Sequence, residues 1–390
     1  MIFGEHDGKT LSQLEAVAAD AEHVALMADG HIGYYMPIGG VAAYDNKVSV
    51  TGVGVDIACG NKAVRTDLSA EGALDDLEEI ADQIAAEIAF GAGRSNQADD
   101  APRDHSLFDS DAWELIPFKQ RQSLKGIARN QLGTIGGGNH YVDVFSDEGG
   151  RIWLGVHFGS RKLGFTIANG FSSLARGGTF EGGRMKGDPD ILDLETTLGQ
   201  DYWALMELAG AYAYAGRDWV CKKVVSILGG EALEEVHNHH NFAWREEHLG
   251  RRVVVVRKGA TPAFPGQKGF VGGSMGDVSV ILRGNDVESP DQDLALKSTV
   301  HGAGRVMGRM EAKGKMNKHG RVTRPGKITQ QAMDGWMKRK GVVLRGGDLD
   351  EAPQAYRRLP DVLEAQGDTI EVLETLTPLI VCMAPKAGRR

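Results

Sequence analysis

The sequence predicts an α/β protein, because segments with helical periodicity alternate with short apolar segments typical of buried strands. Apolar residues recur at helical spacing over residues 10–28, 71–90 and 200–228. Glycine makes up 53 of the 390 residues, about 14%, which is roughly twice its average usage of ~7%. The glycines follow no regular period and cluster beside His, Asn, Asp and Ser. We therefore expect many tight loops in which the backbone approaches a ligand.

The N-terminal half of the chain combines a long helix with short strands. The helix is predicted over residues 10–28, and the strand-like residues 24–27 follow at its end. Residues 37–42 and 51–60 look like short buried strands joined by glycine turns. Residues 91–112 are polar and without a period, which predicts a surface loop.

The C-terminal half continues the alternation. Residues 152–155 predict a strand, and the long helix over 200–228 ends at a pair of glycines, which is a helix stop signal. The β-branched residues 252–257 predict another strand. A helix over 360–375 and a strand over 379–383 complete the chain.

The length allows two or three domains or one large α/β domain, and the sequence has no repeat, low-complexity tract or obvious linker. Three cysteines are too few for a disulfide framework in a chain of this size, so we expect a reducing, cytoplasmic location. The N-terminus lacks the basic and apolar regions of a signal peptide. No apolar run approaches the ~20 residues of a membrane-spanning helix, which predicts a soluble protein with no membrane partner.

Charge is distributed unevenly along the chain. The net charge is −9, which argues against indiscriminate binding to nucleic acid. Residues 297–345 contain 13 Lys and Arg against only Glu311 and Asp334, so this segment carries +11 and the remainder about −20. The segment is either a solvated face or a contact for a polyanion.

The segment Thr51-Gly52-Val53-Gly54-Val55-Asp56-Ile57-Ala58-Cys59-Gly60 is the centre of the functional hypothesis. It places the Asp56 carboxylate three residues from the Cys59 thiol, between glycines that allow tight turns. A hard oxygen donor beside a soft sulfur donor is a reasonable beginning of a metal site. A buried strand end with a tolerated cysteine is the alternative.

Four histidines favour the metal site. His140, His157, His240 and His301 each follow an apolar segment and lie against Gly, Asn or Ser. With a carboxylate and a thiolate, three imidazoles are too many donors for one open catalytic ion, but they fit two ions that share the thiolate. Zn²⁺, Mn²⁺, Co²⁺ and Fe²⁺ all suit such donors. Five other histidines have polar neighbours and are predicted at the surface: His6, His23, His105, His248 and His319.

A glycine run precedes one of these histidines, in Gly136-Gly137-Gly138-Asn139-His140. Because glycines have no side chain, the backbone N–H groups of the run are accessible and suited to bind a phosphate. It is not a Walker motif, because no Gly-Lys-Ser/Thr follows.

Taken together and in order, the motifs are far more specific than any one alone. They are Asp29-Gly30-His31, Pro37-Ile38-Gly39-Gly40, Asp56-Ile57-Ala58-Cys59-Gly60, Gly138-Asn139-His140, His157-Phe158-Gly159-Ser160-Arg161, His239-His240-Asn241, Arg257-Lys258-Gly259-Ala260, Gly273-Ser274-Met275-Gly276, His301-Gly302-Ala303-Gly304-Arg305 and Glu351-Ala352-Pro353-Gln354-Ala355-Tyr356. In this order they resemble the RtcB family of RNA-splicing ligases over residues 24–386.

The resemblance implies a single compact α/β (α+β) domain, residues 1–390, with a central dinuclear metal site. It also implies a ligase that uses GTP and two Mn²⁺ ions. Such an enzyme joins RNA ends carrying a 2′,3′-cyclic phosphate or 3′-phosphate to 5′-hydroxyl ends, in RNA splicing or repair. An activating protein partner is compatible with the sequence.

The resemblance also implies roles for single residues. Asp56, Cys59 and His140 would hold one Mn²⁺, and Cys59, His157 and His240 the other. His301 would be the nucleophile that takes GMP. The implied nucleotide site consists of Asn139, His140, Asp143, His240, Asn241, Gly272, Gly273, Ser274, Met275, Ser279, His301, Gly302, Ala303, Gly304 and Lys386.

The chain departs from the family pattern at several positions. Asp143 stands where a Glu is usual and bears on the choice of nucleotide. Ala58 and Gly30 replace other residue types without removing a donor. Phe158 is bulkier than usual and is expected to narrow the substrate channel, and residues 313–327 match the pattern poorly.

Two other functions compete with the ligase. A dinuclear phosphodiesterase or phosphatase acting on RNA ends would use His301 only as a ligand or acid. A non-catalytic RNA-binding or metal-storage protein would lose no activity on substitution of Cys59. Covalent labelling by GTP distinguishes the ligase from the hydrolase.

Overall fold

The computed structural model describes residues 1–73, 76–248, 250–316 and 322–386. Within these ranges helices alternate with strands, as predicted for an α/β protein. The helices are α1 (Gly8–Ala18), α2 (Val50–Val53), α3 (Ala70–Ala73), α4 (Leu77–Glu87), α5 (Phe118–Gln131), α6 (Arg161–Ala175), α7 (Thr197–Leu228), α8 (Pro290–Leu294), α9 (Arg309–Lys313), α10 (Gln330–Lys340) and α11 (Leu359–Gln366). The strands are β1 (His23–His31), β2 (Ile38–Tyr44), β3 (Lys47–Ser49), β4 (Gly60–Ser69), β5 (Tyr141–Ser146), β6 (Arg151–Phe158), β7 (Ile191–Asp193), β8 (Ala232–His239), β9 (Asn241–His248), β10 (Arg251–Lys258), β11 (Ala260–Pro262), β12 (Lys268–Val271), β13 (Ser279–Gly284), β14 (Ser298–Val300), β15 (Gly314–Met316), β16 (Val322–Pro325), β17 (Val343–Gly347) and β18 (Ile370–Pro385).

The largest sheet has the strand order β12-β13-β18-β5-β6-β4-β8, and β17 pairs in parallel with β18 beside this path. The pairings along the path are antiparallel. Its two end strands lie close together, as the hydrogen bond from Asn238 Nδ2 on β8 to the Lys268 carbonyl on β12 at 3.2 Å shows. The sheet is therefore close to a closed barrel.

A second antiparallel sheet has the order β1-β2-β10-β9. Its apolar face shares a buried cluster with the larger sheet, in which Val41 and Val255 from the second sheet join Val280 and Leu282 from β13. The two sheets thus share a hydrophobic core and form a single domain.

The long helix α7 confirms the prediction over residues 200–228. The Thr196 side chain caps its first turn by accepting from Gly199 N, and Gly229, with φ of 73°, ends it. Its buried side chains contribute to two hydrophobic clusters, one of which lies against the largest sheet. None of the described helices combines the length and apolarity needed to cross a bilayer.

Three predicted element boundaries are wrong. The helix expected over 10–28 ends at Ala18, because residues 23–31 pair with β2 as a strand and this pairing overrides helical periodicity. Residues 51–59 form no strand: a helical turn, capped by the Ser49 hydroxyl, leads into a loop, and β4 begins only at Gly60. The helix expected over 360–375 ends at Gln366, and β18 begins at Ile370.

The histidines that were predicted at the surface differ in their exposure to solvent. His105 is exposed, whereas His6 and His23 are half-buried and contact backbone carbonyls. The prediction is wrong for His248, which is 6% exposed, because its Nε2 lies 2.7 Å from Glu246 Oε2 in a buried pair. His319 lies outside the described residues.

Candidate metal and nucleotide site

Four neighbouring strands begin or end at the predicted metal donors. β4 begins directly after Cys59 and β5 directly after His140. β6 ends one residue after His157, and β8 ends directly before His240. Because neighbouring strands here run antiparallel, two strand starts and two strand ends meet at the same edge of the sheet. Sheet register therefore collects donors that are far apart in sequence.

The donors are close enough to hold cations. His140 Nε2 lies 3.0 Å from Asp56 Oδ2 and 3.6 Å from Cys59 Sγ. His157 Nε2 lies 3.1 Å from the same sulfur, and the His157 and His240 ring centroids are 5.0 Å apart. Two groups result, Asp56-Cys59-His140 and Cys59-His157-His240, whose ligand atoms lie within 4.8 Å of one another in each group. The thiol belongs to both.

The electrostatics of these groups fit metal binding. Burial, followed by the neighbouring Asp56 carboxylate, raises the pKa of the Cys59 thiol well above its ordinary value. A thiolate at this position therefore requires a compensating cation. Burial lowers the pKa values of His157 and His240 well below the ordinary value, which keeps both imidazoles neutral, the form that binds a metal.

The Asp56 carboxyl is half-buried, and its pKa lies below the ordinary value. Burial alone raises its pKa, but the hydrogen bond from His140 and the charges of His140 and Arg161 outweigh that effect and bring the pKa below its ordinary value. The Nδ1 atom of His140 is buried without a hydrogen-bond partner among the described residues. A Cβ at Gly136 would collide with the His140 ring, which explains one glycine of the run before this histidine.

A buried arginine braces the loops that carry the donors. Arg217 on α7 is fully buried, and its Nη1 donates to the carbonyls of Ala58 at 3.0 Å and Phe158 at 2.6 Å. Ala58 adjoins Cys59 and Phe158 adjoins His157. Both of these candidate donors belong to the second group. The guanidinium also lies 2.7 Å from His237 Nε2 and 2.9 Å from His239 Nδ1. One side chain thus connects β4, β6 and β8 at the donor edge.

The residue before the cysteine is strained. Ala58 has φ of 60°, in the left-handed region that glycine adopts most easily. Its N–H donates to the Asn241 carbonyl at 2.8 Å, and its carbonyl accepts from Arg217. These two hydrogen bonds hold the conformation that directs Cys59 toward the histidines.

The predicted nucleophile approaches the candidate metal donors from the small two-stranded sheet of β11 and β14. His301 follows β14, and its ring centroid is 4.8 Å from that of His240. Its Nδ1 lies 2.6 Å from Asp29 Oδ2, which also accepts from the backbone N–H groups of His301 at 3.1 Å and Gly302 at 3.2 Å. Because the fully buried Asp29 Oδ2 accepts this hydrogen bond, the proton is assigned to Nδ1, and in this neutral tautomer Nε2 keeps its lone pair.

One cavity of about 530 Å³ is lined by four of the candidate metal donors and by the predicted nucleophile: Asp56, Cys59, His157, His240 and His301. Most of the residues implied as nucleotide contacts lie in its wall: Asn139, Asp143, His240, Asn241, Gly272, Gly273, Ser274, Met275, His301, Gly302, Ala303 and Gly304. His140 lies behind this wall, in contact with Asp56.

Besides His140, two further implied nucleotide residues lie outside the cavity wall. Ser279 is 3% exposed, and its hydroxyl accepts from Gly273 N at 3.0 Å, so it supports the glycine turn from behind. Lys386 is exposed, and its ammonium donates to the Gln330 side chain. Asn241 faces the cavity while its Oδ1 accepts from Gly259 N at 2.7 Å.

The wall carries two buried polar groups without partners among the described residues, Asp143 Oδ1 and Tyr141 Oη. Burial raises the pKa of Asp143 well above its ordinary value, although a backbone hydrogen bond from Cys382 opposes this. Gly272 lies against the Tyr141 hydroxyl and has no room for a Cβ. Unsatisfied polar atoms at a cavity wall are suited to a polar ligand.

Two departures from the family pattern have a structural explanation. Phe158 does not narrow the cavity: alternation along β6 turns it to the opposite face from His157, where it is 1% exposed and packs near Gly216. That expectation is wrong. At Gly30 a Cβ would meet the His6 ring at 2.7 Å, so the β-branched residue usual in the family does not fit here.

The basic segment over residues 297–345 is partly neutralised within the fold. The residues of the segment sum to +11, but carboxylates outside it pair with several of its cations, and Glu311 within it pairs with Lys327. The paired cations are Lys297, Arg305, Arg309, Lys313, Lys327 and Arg345. Lys338, Arg339 and Lys340 are exposed in the last turn of α10.

Sequence reasoning assigned no role to Asp29 and missed Arg217. Asp29 belongs to a recognised motif, and a carboxylate next to a histidine in a glycine-flanked motif is a signal for a partner of the nucleophile. Arg217 lies within an otherwise apolar helical pattern, where an isolated cation indicates a buried polar contact. Without the fold, neither signal identifies the residues that Asp29 and Arg217 contact.

Comparison with known proteins decides the family. A family model described as tRNA-splicing ligase RtcB matches residues 10–384. The chain belongs to the RtcB family. The RNA-splicing ligase RtcB of Escherichia coli is 31% identical over 93% of this chain and 90% of its own length. The tRNA-splicing ligase RtcB of Thermococcus kodakarensis is 29% identical over 91% of this chain and 86% of its own.

A more distant relative, the RNA-splicing ligase RtcB homolog 1 of Entamoeba histolytica, is 28% identical over 91% of this chain and 79% of its own length. Membership in this family of RNA ligases agrees with the cavity, where candidate metal groups lie next to a histidine held by a carboxylate. The motifs of the RtcB resemblance thus come together in the fold.

Proposed function

We propose that the protein is a GTP-dependent RNA ligase that joins 2′,3′-cyclic phosphate or 3′-phosphate ends to 5′-hydroxyl ends, with residues 1–390 as one catalytic domain. The observation that carries this proposal is the position of His301. Its ring lies beside His240 of the thiol-sharing donor groups, and Asp29 fixes its Nδ1. A hydrolase that only binds metal does not need a histidine oriented in this way.

In the first step His301 Nε2 would attack the α-phosphorus of GTP and displace pyrophosphate. A phosphoramidate between Nε2 and GMP results. Asp29 accepts the hydrogen bond of Nδ1–H, so it keeps the lone pair on Nε2 and stabilises the positive charge that develops on the ring. The two backbone N–H groups that donate to the same carboxylate oxygen hold it in place.

Two Mn²⁺ ions would be held by the groups that share Cys59, and when bound they offset the negative charge of the triphosphate. The chain contributes the preorganised donor edge. Neutral imidazoles at His157 and His240 are ready to bind without losing a proton. Arg217 fixes the backbone on both sides of the donors.

In the second step a 3′-phosphate oxygen of RNA would attack the phosphorus on His301 and release the imidazole. This step forms an anhydride, RNA-3′-pp-5′-G. The 5′-hydroxyl of the second strand then attacks the RNA phosphorus and GMP leaves. A 2′,3′-cyclic end must first be opened by water to a 3′-phosphate.

The RNA strands would approach over a surface that carries exposed cations. Lys338, Arg339 and Lys340 at the end of α10 are exposed, which suits contact with the phosphate backbone. We place the enzyme in the cytoplasm, because its cysteines are free thiols: Cys59, Cys221 and Cys382.

The proposal is tested with two RNA strands, one ending in a 3′-phosphate and one beginning with a 5′-hydroxyl, incubated with GTP and Mn²⁺. We expect a joined product on a denaturing gel. A matched first strand ending in a 3′-hydroxyl should remain unjoined, because it cannot accept GMP as an anhydride. Release of phosphate without any joined product would instead favour an RNA-end phosphatase.

A further inference from the structure

The loop between β1 and β2 places two exposed apolar side chains in the wall of the cavity. Ile32 and Tyr34 line it together with His301, yet 50% and 65% of their respective surfaces are exposed. An aromatic ring open to solvent at the rim of a cavity is suited to stack on a flat ligand.

Hydrogen bonds hold the loop that carries Ile32 and Tyr34 and forms the rim of the cavity. Gln13 on α1 donates through Nε2 to the carbonyls of Gly33 at 3.0 Å and Tyr34 at 2.9 Å, and its Oε1 accepts from Gly33 N at 3.0 Å. The next side chain, Tyr35, is buried and its hydroxyl donates to Asp20 at 3.0 Å. Gly33 itself lies against the Met36 carbonyl and has no space for a Cβ. Tyr34 is therefore presented outward on an ordered turn.

The rim belongs to the strand that holds the nucleophile. Asp29 and His31 are on β1, and the loop with Ile32 and Tyr34 continues directly from it. The Asp29 carboxylate lies 2.6 Å from His301 Nδ1. A chain end that reacts with the phosphorus on His301 Nε2 consequently lies in the cavity whose wall includes Ile32 and Tyr34.

A cation lines the same cavity. Arg309 contributes to the wall, and its side chain is 45% exposed although it pairs with Asp350 and Glu351. A cation and an exposed aromatic ring in the wall of one cavity are a combination that binds single-stranded nucleic acid, where the cation contacts phosphate and the ring stacks on a base.

We propose that Tyr34, supported by Ile32, stacks on the base of the 3′-terminal nucleotide of the RNA strand that receives GMP. This inference rests on the proposed ligase function. The 3′-terminal nucleotide is favoured over the 5′-terminal one, because its phosphate must reach the phosphorus on His301 itself. Stacking is independent of base identity, so the rim selects an unpaired end and not a sequence.

The test uses RNA with the fluorescent base 2-aminopurine at the 3′-phosphorylated terminal position, bound to the protein with Mn²⁺ but without GTP. We expect quenching of its fluorescence by the wild type and by Tyr34→Phe, and loss of quenching with Tyr34→Ala. 2-Aminopurine at the 5′-hydroxyl terminus should show no quenching that depends on Tyr34. Equal quenching by wild type and Tyr34→Ala, or Tyr34-dependent quenching at the 5′ terminus only, would overturn the proposal.

Steady-state joining provides the second readout. Tyr34→Ala should raise KM for the 3′-phosphorylated strand about 5- to 100-fold, the range of base stacking. Phe118→Ala is the matched control, because Phe118 is 82% exposed and lies outside the cavity wall. It should change neither KM nor quenching.

Labelling of the protein by GTP separates the remaining outcomes. If Tyr34→Ala loses covalent labelling together with joining, the rim holds the guanine of GTP and the proposal is wrong. If the wild type neither labels nor joins, the ligase function itself fails. Normal labelling with a raised KM for RNA supports the rim as the site of the 3′-terminal base.

Discussion

The metal side and the nucleophile side of the cavity are built in different ways. The metal donors lie at the ends of four adjacent strands, so backbone pairing sets their spacing. His301 instead follows a strand of a small two-stranded sheet, and its orientation depends on one carboxylate, Asp29. The first arrangement is robust to most single substitutions outside the donors. The second depends on a single side chain.

Because of this difference, we expect substitutions on the two sides of the cavity to cause different defects. Changes on the metal side should remove metal and activity together, whereas a change at Asp29 should remove activity and leave the metal bound.

Cys59→Ala should have the largest effect. The thiol belongs to both donor groups, so its loss should abolish binding of both ions and RNA joining together. Metal content after gel filtration and joining of RNA ends are the measurements. Cys221→Ala is the control, because Cys221 is a buried thiol outside both groups. Normal joining by Cys59→Ala would refute the bridging role.

Asp29→Asn should have the second largest effect. An amide at this position no longer fixes Nδ1–H or stabilises the charged ring, so covalent labelling of His301 by GTP should slow by about 10²- to 10⁴-fold. Metal content should equal that of the wild type. A variant that loses metal in parallel with labelling would show that the two sides are not separable.

Arg217→Met should weaken metal binding without removing a donor. The variant loses the hydrogen bonds to the Ala58 and Phe158 carbonyls, and we expect metal affinity to fall about 10- to 100-fold. Titration with Mn²⁺, with the far-ultraviolet circular dichroism spectrum as a check of folding, measures this. Arg217→Lys, which keeps the charge but not the fork of donors, should be intermediate. Unchanged affinity in the folded Met variant would exclude the bracing role.

Ala58→Gly should have the smallest effect and the opposite sign. Glycine relieves the left-handed backbone at this position, so the free energy of unfolding should rise by up to about 1 kcal/mol. Ala63→Gly, in the buried part of β4, is the control and should destabilise the protein. Urea denaturation distinguishes the two, and equal destabilisation would show that Ala58 is not strained.

Much of the metal side was predictable from sequence. Asp56, Cys59 and the histidines each follow an apolar segment and lie near Gly or Asn residues, and that local pattern is visible without the fold. Their grouping into two triads was predicted only through the resemblance, because it depends on the antiparallel register of β5, β6, β4 and β8, which the residues alone do not show. Single-sequence periodicity also failed at residues 10–28 and 51–60, where strand pairing and a capped turn replaced the expected elements.

The nucleophile side was predictable only through resemblance. His301 has no distinguishing local pattern beyond its glycines, and the Asp29 carboxylate that orients it is 272 residues away in sequence. The alternation of β6 likewise decides that Phe158 faces the core, which residue size alone could not tell. Partners distant in sequence are the part of a site that a single sequence leaves open.

The most direct test of the account is incubation with Mn²⁺ and GTP labelled at the α-phosphate, followed by denaturing electrophoresis. We predict a covalent label that acid removes, that is absent from His301→Ala, and that requires the metal. No label on wild-type protein with its metal bound would contradict the account and would favour the phosphodiesterase.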